Sequence, residues 1–204
     1  MERSILINKI KTRIDEVCAS GDTIIAVGVE NTKPYDSIIE ELLDESALEI
    51  LLKAPFYRLN ISRGTMTATE DGSDNRIGYL TLPEDFLRLV SFRMSEWQRP
   101  VTEFAMQGDE VALRQSNKYL RGGVAKPVAV LSKEDTGYKA TYYSVNSSHT
   151  VSEFLYIKRD KAQNIADSQL VDAMCWLCAA KTLGVLGENN LAKQCYDNAK
   201  GLMV

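Results

Sequence analysis

Two cysteines stand three residues apart in Cys175-Trp176-Leu177-Cys178, the spacing of a dithiol redox pair. That chemistry needs a thiolate, and a position at a helix N-terminus supplies one by lowering the thiol pKa. Here the first cysteine falls about two turns inside a predicted helix and follows no strand–helix unit. The competing reading is two small apolar residues on a buried stripe, since free cysteine is among the most buried side-chain types. Cys18 and Cys195 complete the set of four. A zinc site would require all four to converge, and only one pair is close in sequence. The single histidine, His149, excludes any mechanism that needs two imidazoles and offers no Ser–His–acid triad. There is no Walker loop and no dinucleotide fingerprint. Arg121-Gly122-Gly123 reads as a helix stop rather than an RNA-binding fragment. No catalytic, cofactor-binding or metal-binding residue is assigned, and no cofactor is expected.

Acidic residues carry a clearer pattern. Asp36, Glu40 and Asp44 are spaced by four, as are Glu41, Glu45 and Glu49, with no Lys or Arg among them. On a helix this places the six on one side, where like charges cost roughly 0.2–0.5 kcal/mol per i,i+4 pair. Such a face is solvated, repels a polyanion or meets a basic partner. The expectation is that these carboxylates face a channel or bulk solvent.

The elements that position these residues follow from periodicity. Apolar residues at helical spacing predict a helix over 2–19, ended by Ser20-Gly21-Asp22. Residues 23–34 read as a short strand or a loop. Ser37 and Glu40 have capping-box spacing, with Asp36 as a rival cap, and Ala54-Pro55 should end the second helix. From 61 to 160 the period becomes two. Strands are expected at Ile77–Tyr79, Leu80–Leu82, Leu87–Met94, Val128–Leu131, Tyr138–Val145 and Val151–Ile157, with one helix at 108–121. Asp167 should cap a helix that Gly187 breaks, and a final helix runs from Asn189 to Lys200. The fold class is therefore α+β: a helical module from 1–60 and 161–204, with a β-rich insertion at 61–160.

The chain has 204 residues and a formal net charge of -4, an acidic balance that argues against general binding to DNA or anionic membranes. No apolar run approaches the ~18 residues of a membrane span. The N-terminal "MERSILINKIKTRIDE" is charged too early for a secretory signal. Synthesis in the cytoplasm is expected.

The stretch Leu82–Glu103, "LPEDFLRLVSFRMSEWQRPVTE", reads as a hairpin with Trp97 at its tip. A tryptophan there suits a partner contact, because Trp is enriched at interface hot spots. Folding of the ring back onto its own sheet is the alternative. At the other end, Leu202, Met203 and Val204 follow Gly201, a predicted helix stop. Three apolar residues on a free tail also suit a partner contact.

Four stretches together resemble the head–tail adaptor (connector) proteins of tailed bacteriophages, short-tailed phages above all. They are 34–55 (PYDSIIEELLDESALEILLKAP), 79–89 (YLTLPEDFLRL), 96–103 (EWQRPVTE) and 167–187 (DSQLVDAMCWLCAAKTLGVLG). The resemblance lies in order and spacing. It implies a helical module with a β-rich insertion and no catalysis. It further implies a homo-oligomeric, dodecameric ring at the head–tail interface of a virion. Such a ring binds the portal protein, meets a downstream tail or nozzle protein, and passes DNA through its lumen without specific binding. In that family the C-terminal segment docks on the portal. The alternatives are a thiol oxidoreductase using Cys175 and Cys178, or another tail-tube or ring subunit.

Overall fold

The computed structural model describes residues 1–20, 33–72, 74, 76–135, 137–146 and 149–203. In chain order its elements are α1 (Arg3–Ser20), α2 (Lys33–Lys53), β1 (Ser62–Arg63), β2 (Thr69–Glu70), β3 (Gly78–Thr81), β4 (Phe86–Met94), β5 (Ala105–Met106), α3 (Glu110–Arg114), β6 (Ala129–Glu134), β7 (Gly137–Tyr142), β8 (Val151–Lys158), α4 (Ser168–Val185) and α5 (Asn189–Leu202). Single 3-10 turns occupy Phe56–Arg58 and Ala162–Asn164. The fold class is α+β, with helices toward both chain ends and strands in the middle. Two units form: residues 1–60 with 159–204, and residues 61–158. No helix among the described residues is long and apolar enough to cross a membrane.

In the helical unit α4 is the hub, and α1, α2 and α5 all pack against it. Its sequence explains why. From Leu170 to Leu183 nearly every side chain is buried, and many are small (Ala173, Cys175, Cys178, Ala179, Ala180), so neighbouring helices can approach from several directions. Asp167 caps α4 as its type predicts, its Oδ1 accepting from the Leu170 N–H at 2.9 Å. The helix stops before Gly187, whose φ of +86° favours a residue without Cβ. The partners contribute stripes at helical spacing: Leu6, Ile10, Ile14 and Val17 from α1; Ile39, Leu43, Ala47 and Ile50 from α2; Leu191, Cys195 and Ala199 from α5.

Two helix boundaries differ from expectation. Helix α2 begins at Lys33, so neither Ser37 nor Asp36 is its cap and Asp36 lies in its first turn. Pro34 does not prevent this, because a proline in the first turn forfeits only an N–H that has no helical acceptor. Helix α3 covers 110–114 rather than 108–121. Beyond it, the Asn117 side chain accepts from the Tyr119 N–H in an Asx turn, an alternative to continuing the helix. Gln115, buried, donates to Val111 O and accepts from Gly122 N, closing 115–122 into a compact loop. The expected helix stop after Ser20 and the reading of 23–34 concern residues outside the described ones, apart from Lys33 and Pro34 in α2.

The β unit holds two sheets, ordered β1-β8-β4 and β2-β3-β7-β6-β5, antiparallel except for the β5·β6 pair. Strand β4 pairs along its length with β8. It meets the returning 99–103 segment only at a single bridge, Phe92 to Val101, so the expected hairpin is one bridge deep. The core between these strands is aromatic. Phe92 lies edge-on to Trp97, Phe154 and Tyr142 at centroid separations of 5.0, 6.0 and 6.2 Å. Gly78 is a close-approach position: a Cβ there would fall on the Tyr142 phenol and 2.6 Å from the Thr69 carbonyl.

Candidate functional site

The acidic residues of α2 are not one unpaired face. With about 100° per residue, Asp36, Glu40 and Asp44 run along one flank of the buried stripe and Glu45 and Glu49 along the other. Basic residues from neighbouring helices meet both flanks. Lys11 reaches Asp36 at 2.5 Å and Arg3 reaches Asp44 at 3.1 Å. Lys181 of α4 sits between Glu45 (2.7 Å) and Glu49 (3.0 Å), and Lys53 adds a second contact to Glu49 at 2.6 Å. Burial pushes the Glu49 carboxyl up, but hydrogen bonds from Lys53 and Lys181 outweigh it and leave the group below its ordinary value. Of the six, Glu40 and Glu41 are exposed and have no ion pair among the described residues. Asp36, Asp44, Glu45 and Glu49 are thus ion-paired within the chain rather than unopposed, while Asp44 and Glu45 remain exposed to solvent. They pin α2 to α1 and α4, and partly exposed pairs of this kind contribute about 1 kcal/mol or less each.

The Cys-x-x-Cys pair sits at the centre of the helical unit. Cys175 and Cys178 are fully buried. Desolvation pushes their thiols up to about 12 and about 11 respectively, away from the thiolate that redox exchange requires. The Cys178 thiol points to the Ile39 carbonyl at 3.8 Å. All four cysteines are free, and Cys195 is likewise buried with its thiol pushed up to about 11. No group of three or more metal-ligating side chains occurs among the described residues. The Cys175→Ala, Cys178→Ala double variant should fold with a loss of about 1–2 kcal/mol from packing alone, measured by urea denaturation. A larger loss, or the disappearance of a dithiol activity present in the parent, would show that the pair does more than fill space.

The chain end is tied down. Gly201 lies inside α5 and does not stop it. The Arg58 guanidinium donates from Nη1 to Leu202 O at 2.8 Å, and from Nη2 and Nε to the two Asp167 carboxylate oxygens at 2.8 and 3.3 Å. Its side chain is only 7% exposed. One arginine thus closes the last turn of α5 and orients the cap of α4. Leu202 ends α5 with Met203 as its C-cap, so these two do not form a free tail, and both are half-buried; Val204 lies outside the described residues. The loop 55–60 that presents Arg58 has no period, so nothing in the sequence pointed to it.

Trp97 is also corrected as a partner contact. It is 1% exposed and packs on Phe92 and Tyr142. The turn at 95–98 folds inward: Trp97 N donates to Met94 O, and the Arg93 guanidinium caps the Trp97 carbonyl at 3.0 Å. His149 has a structural setting as well, its Nδ1 2.6 Å from the Tyr142 hydroxyl. The exposed apolar side chains of the β unit lie elsewhere. Met106, Leu113, Tyr119 and Leu120 are each more than half exposed, with Tyr119 at 84%. A cleft of about 750 Å³ in the helical unit is lined by Asp44, Glu45, Leu48, Arg159, Asp160, Lys161, Gln163 and Asn164, a mixed-charge set.

Compared with protein-family models, the chain matches none, and no curated protein matches it.

Proposed function

We propose that this chain is a structural subunit of a tailed-bacteriophage particle: a head–tail adaptor that assembles as a homo-oligomeric ring, binds the portal, meets a tail or nozzle protein below and conducts DNA through its lumen. One observation carries the reading. The strand-rich unit 61–158 is inserted into a helical unit built from both chain ends, the arrangement that the resemblance implies. The exposed apolar side chains Met106, Leu113, Tyr119 and Leu120 support it, because large exposed apolar side chains are available to a partner surface. The dodecameric copy number and the virion location belong to this proposal. The burial and raised pKa values of Cys175 and Cys178 weigh against the thiol oxidoreductase. The test is electron microscopy of the purified chain mixed with portal rings. Closed rings of cyclic symmetry seated on one end of the portal are expected. Open tubes would favour a tail-tube subunit, and a chain that stays monomeric and ignores the portal would sink the adaptor reading.

A further inference from the structure

The β unit contains a second cleft, of about 510 Å³, lined by Asp74, Arg76, Lys118, Arg121, Gly122, Gly123, Val124, Ser144, Val145 and Asn146. Three cations face it against one carboxylate, on a chain whose net charge is negative. Arg121 is already engaged: its Nη1 donates to Asp74 at 2.6 Å, its Nε to Gln115 O, and its guanidinium lies 5.9 Å from the Tyr143 ring centroid. The Asp74 carboxylate is held by Arg121 and by the Arg76 backbone N–H, so its charge is spoken for. Arg76 and Lys118 are exposed and form no ion pair among the described residues. The cleft therefore keeps a formal charge of +2, although Arg76 also helps to hold the Asp74 carboxyl low and the Lys118 ammonium lies 5.1 Å from the Tyr119 ring centroid.

Ser144 adds an independent sign. Its φ of 68° puts a non-glycine residue in the left-handed region. Its hydroxyl is buried with no hydrogen-bond partner among the described residues. Backbone strain and an orphan hydroxyl in one cleft residue are each unfavourable for an unliganded protein. A bound oxyanion relieves the second and gives Arg76 and Lys118 a counter-charge.

We propose that this cleft binds a phosphate oxyanion, with Arg76 and Lys118 supplying the charge, Arg121 held in place by Asp74, and Ser144 donating its hydroxyl. The proposal stands independently of the adaptor reading. A phosphoryl group reaches such a cleft as a free phosphate ester or as part of a nucleic-acid backbone, and the chemistry is shared.

The experiment is calorimetric titration of the intact chain with sodium pyrophosphate at low ionic strength, repeated with a short DNA duplex and with polyglutamate. Saturable, salt-weakened binding of pyrophosphate is expected. The Arg76→Gln and Lys118→Gln variants should each lose about tenfold in affinity, and both residues are exposed enough to be replaced without unfolding the chain. Ser144→Gly should raise the melting temperature by relieving the backbone while weakening binding, a combination that a purely structural serine would not give. Duplex binding that pyrophosphate displaces points to the nucleic-acid source; pyrophosphate binding without duplex binding points to a free ester. Absence of pyrophosphate binding, binding unchanged in Arg76→Gln with Lys118→Gln, or binding of polyglutamate alone overturns the proposal.

Discussion

Replacing Trp97 with alanine should cost about 3–5 kcal/mol, the range for removing a fully buried large aromatic. The ring packs against Phe92 and Tyr142, and Phe92 in turn packs on Phe154, so the space is filled by interlocked aromatics. Trp97→Phe should cost much less. It keeps an aromatic in place and removes an indole N–H that is buried with no hydrogen-bond partner among the described residues. Denaturant unfolding monitored by far-UV circular dichroism would measure both. A Trp97→Ala chain as stable as its parent, with a defect confined to partner binding, would restore the surface role suggested by the sequence.

The second large effect concerns Arg58. Arg58→Met should lower the melting temperature by roughly 5–10 °C, because it frees Leu202 O and leaves Asp167 without its cation. The effect should depend on pH. The Arg58 guanidinium first, and the Leu170 N–H second, hold the Asp167 carboxyl below its ordinary value. A carboxylate with a depressed folded pKa stabilises the fold fully above its unfolded value, and that stabilisation disappears as pH falls toward the folded value. The parent should therefore lose stability as pH drops below the usual aspartate range, and Arg58→Met should lose less over the same window. Parallel melting curves of the two chains across that interval would instead locate the acid sensitivity in another carboxylate, Asp74 being the next candidate with a depressed pKa.

Elements with strong local signals were legible in the sequence. The strands around Gly78–Thr81, Phe86–Met94 and Val151–Lys158 alternate and are bounded by turn residues, and Asp167 announces its helix by type and position. The two-residue strands β1, β2 and β5 carry too little pattern to be seen. What failed depended on partners distant in the chain. Trp97 looked like a hairpin tip because its neighbours in sequence form a turn. The partner strand of β4 is β8, some sixty residues on, as the Phe92–Phe154 pairing shows, and no local period reveals that. The acids of α2 looked unopposed because Arg3, Lys11 and Lys181 belong to other helices. Arg58 was invisible for the same reason, its two partners being Asp167 and Leu202. In the cleft of the β unit, Arg76, Lys118 and Ser144 come from three separated loops.

The split make-up of the helical unit has a consequence for biosynthesis. Helices α1 and α2 leave the ribosome before the β unit, yet their apolar stripes pack on α4, which emerges after it. Residues 61–158 contain all of their own strand partners and can close as soon as β8 is made. The nascent chain thus carries a finished β unit while its α1 and α2 segments still show Ile10, Ile14, Leu43 and Ile50 to solvent. A translation arrest or nonsense codon between β8 and α4 strands those helices without a hub. The truncated products should be recovered as a folded middle with a protease-sensitive N-terminal arm.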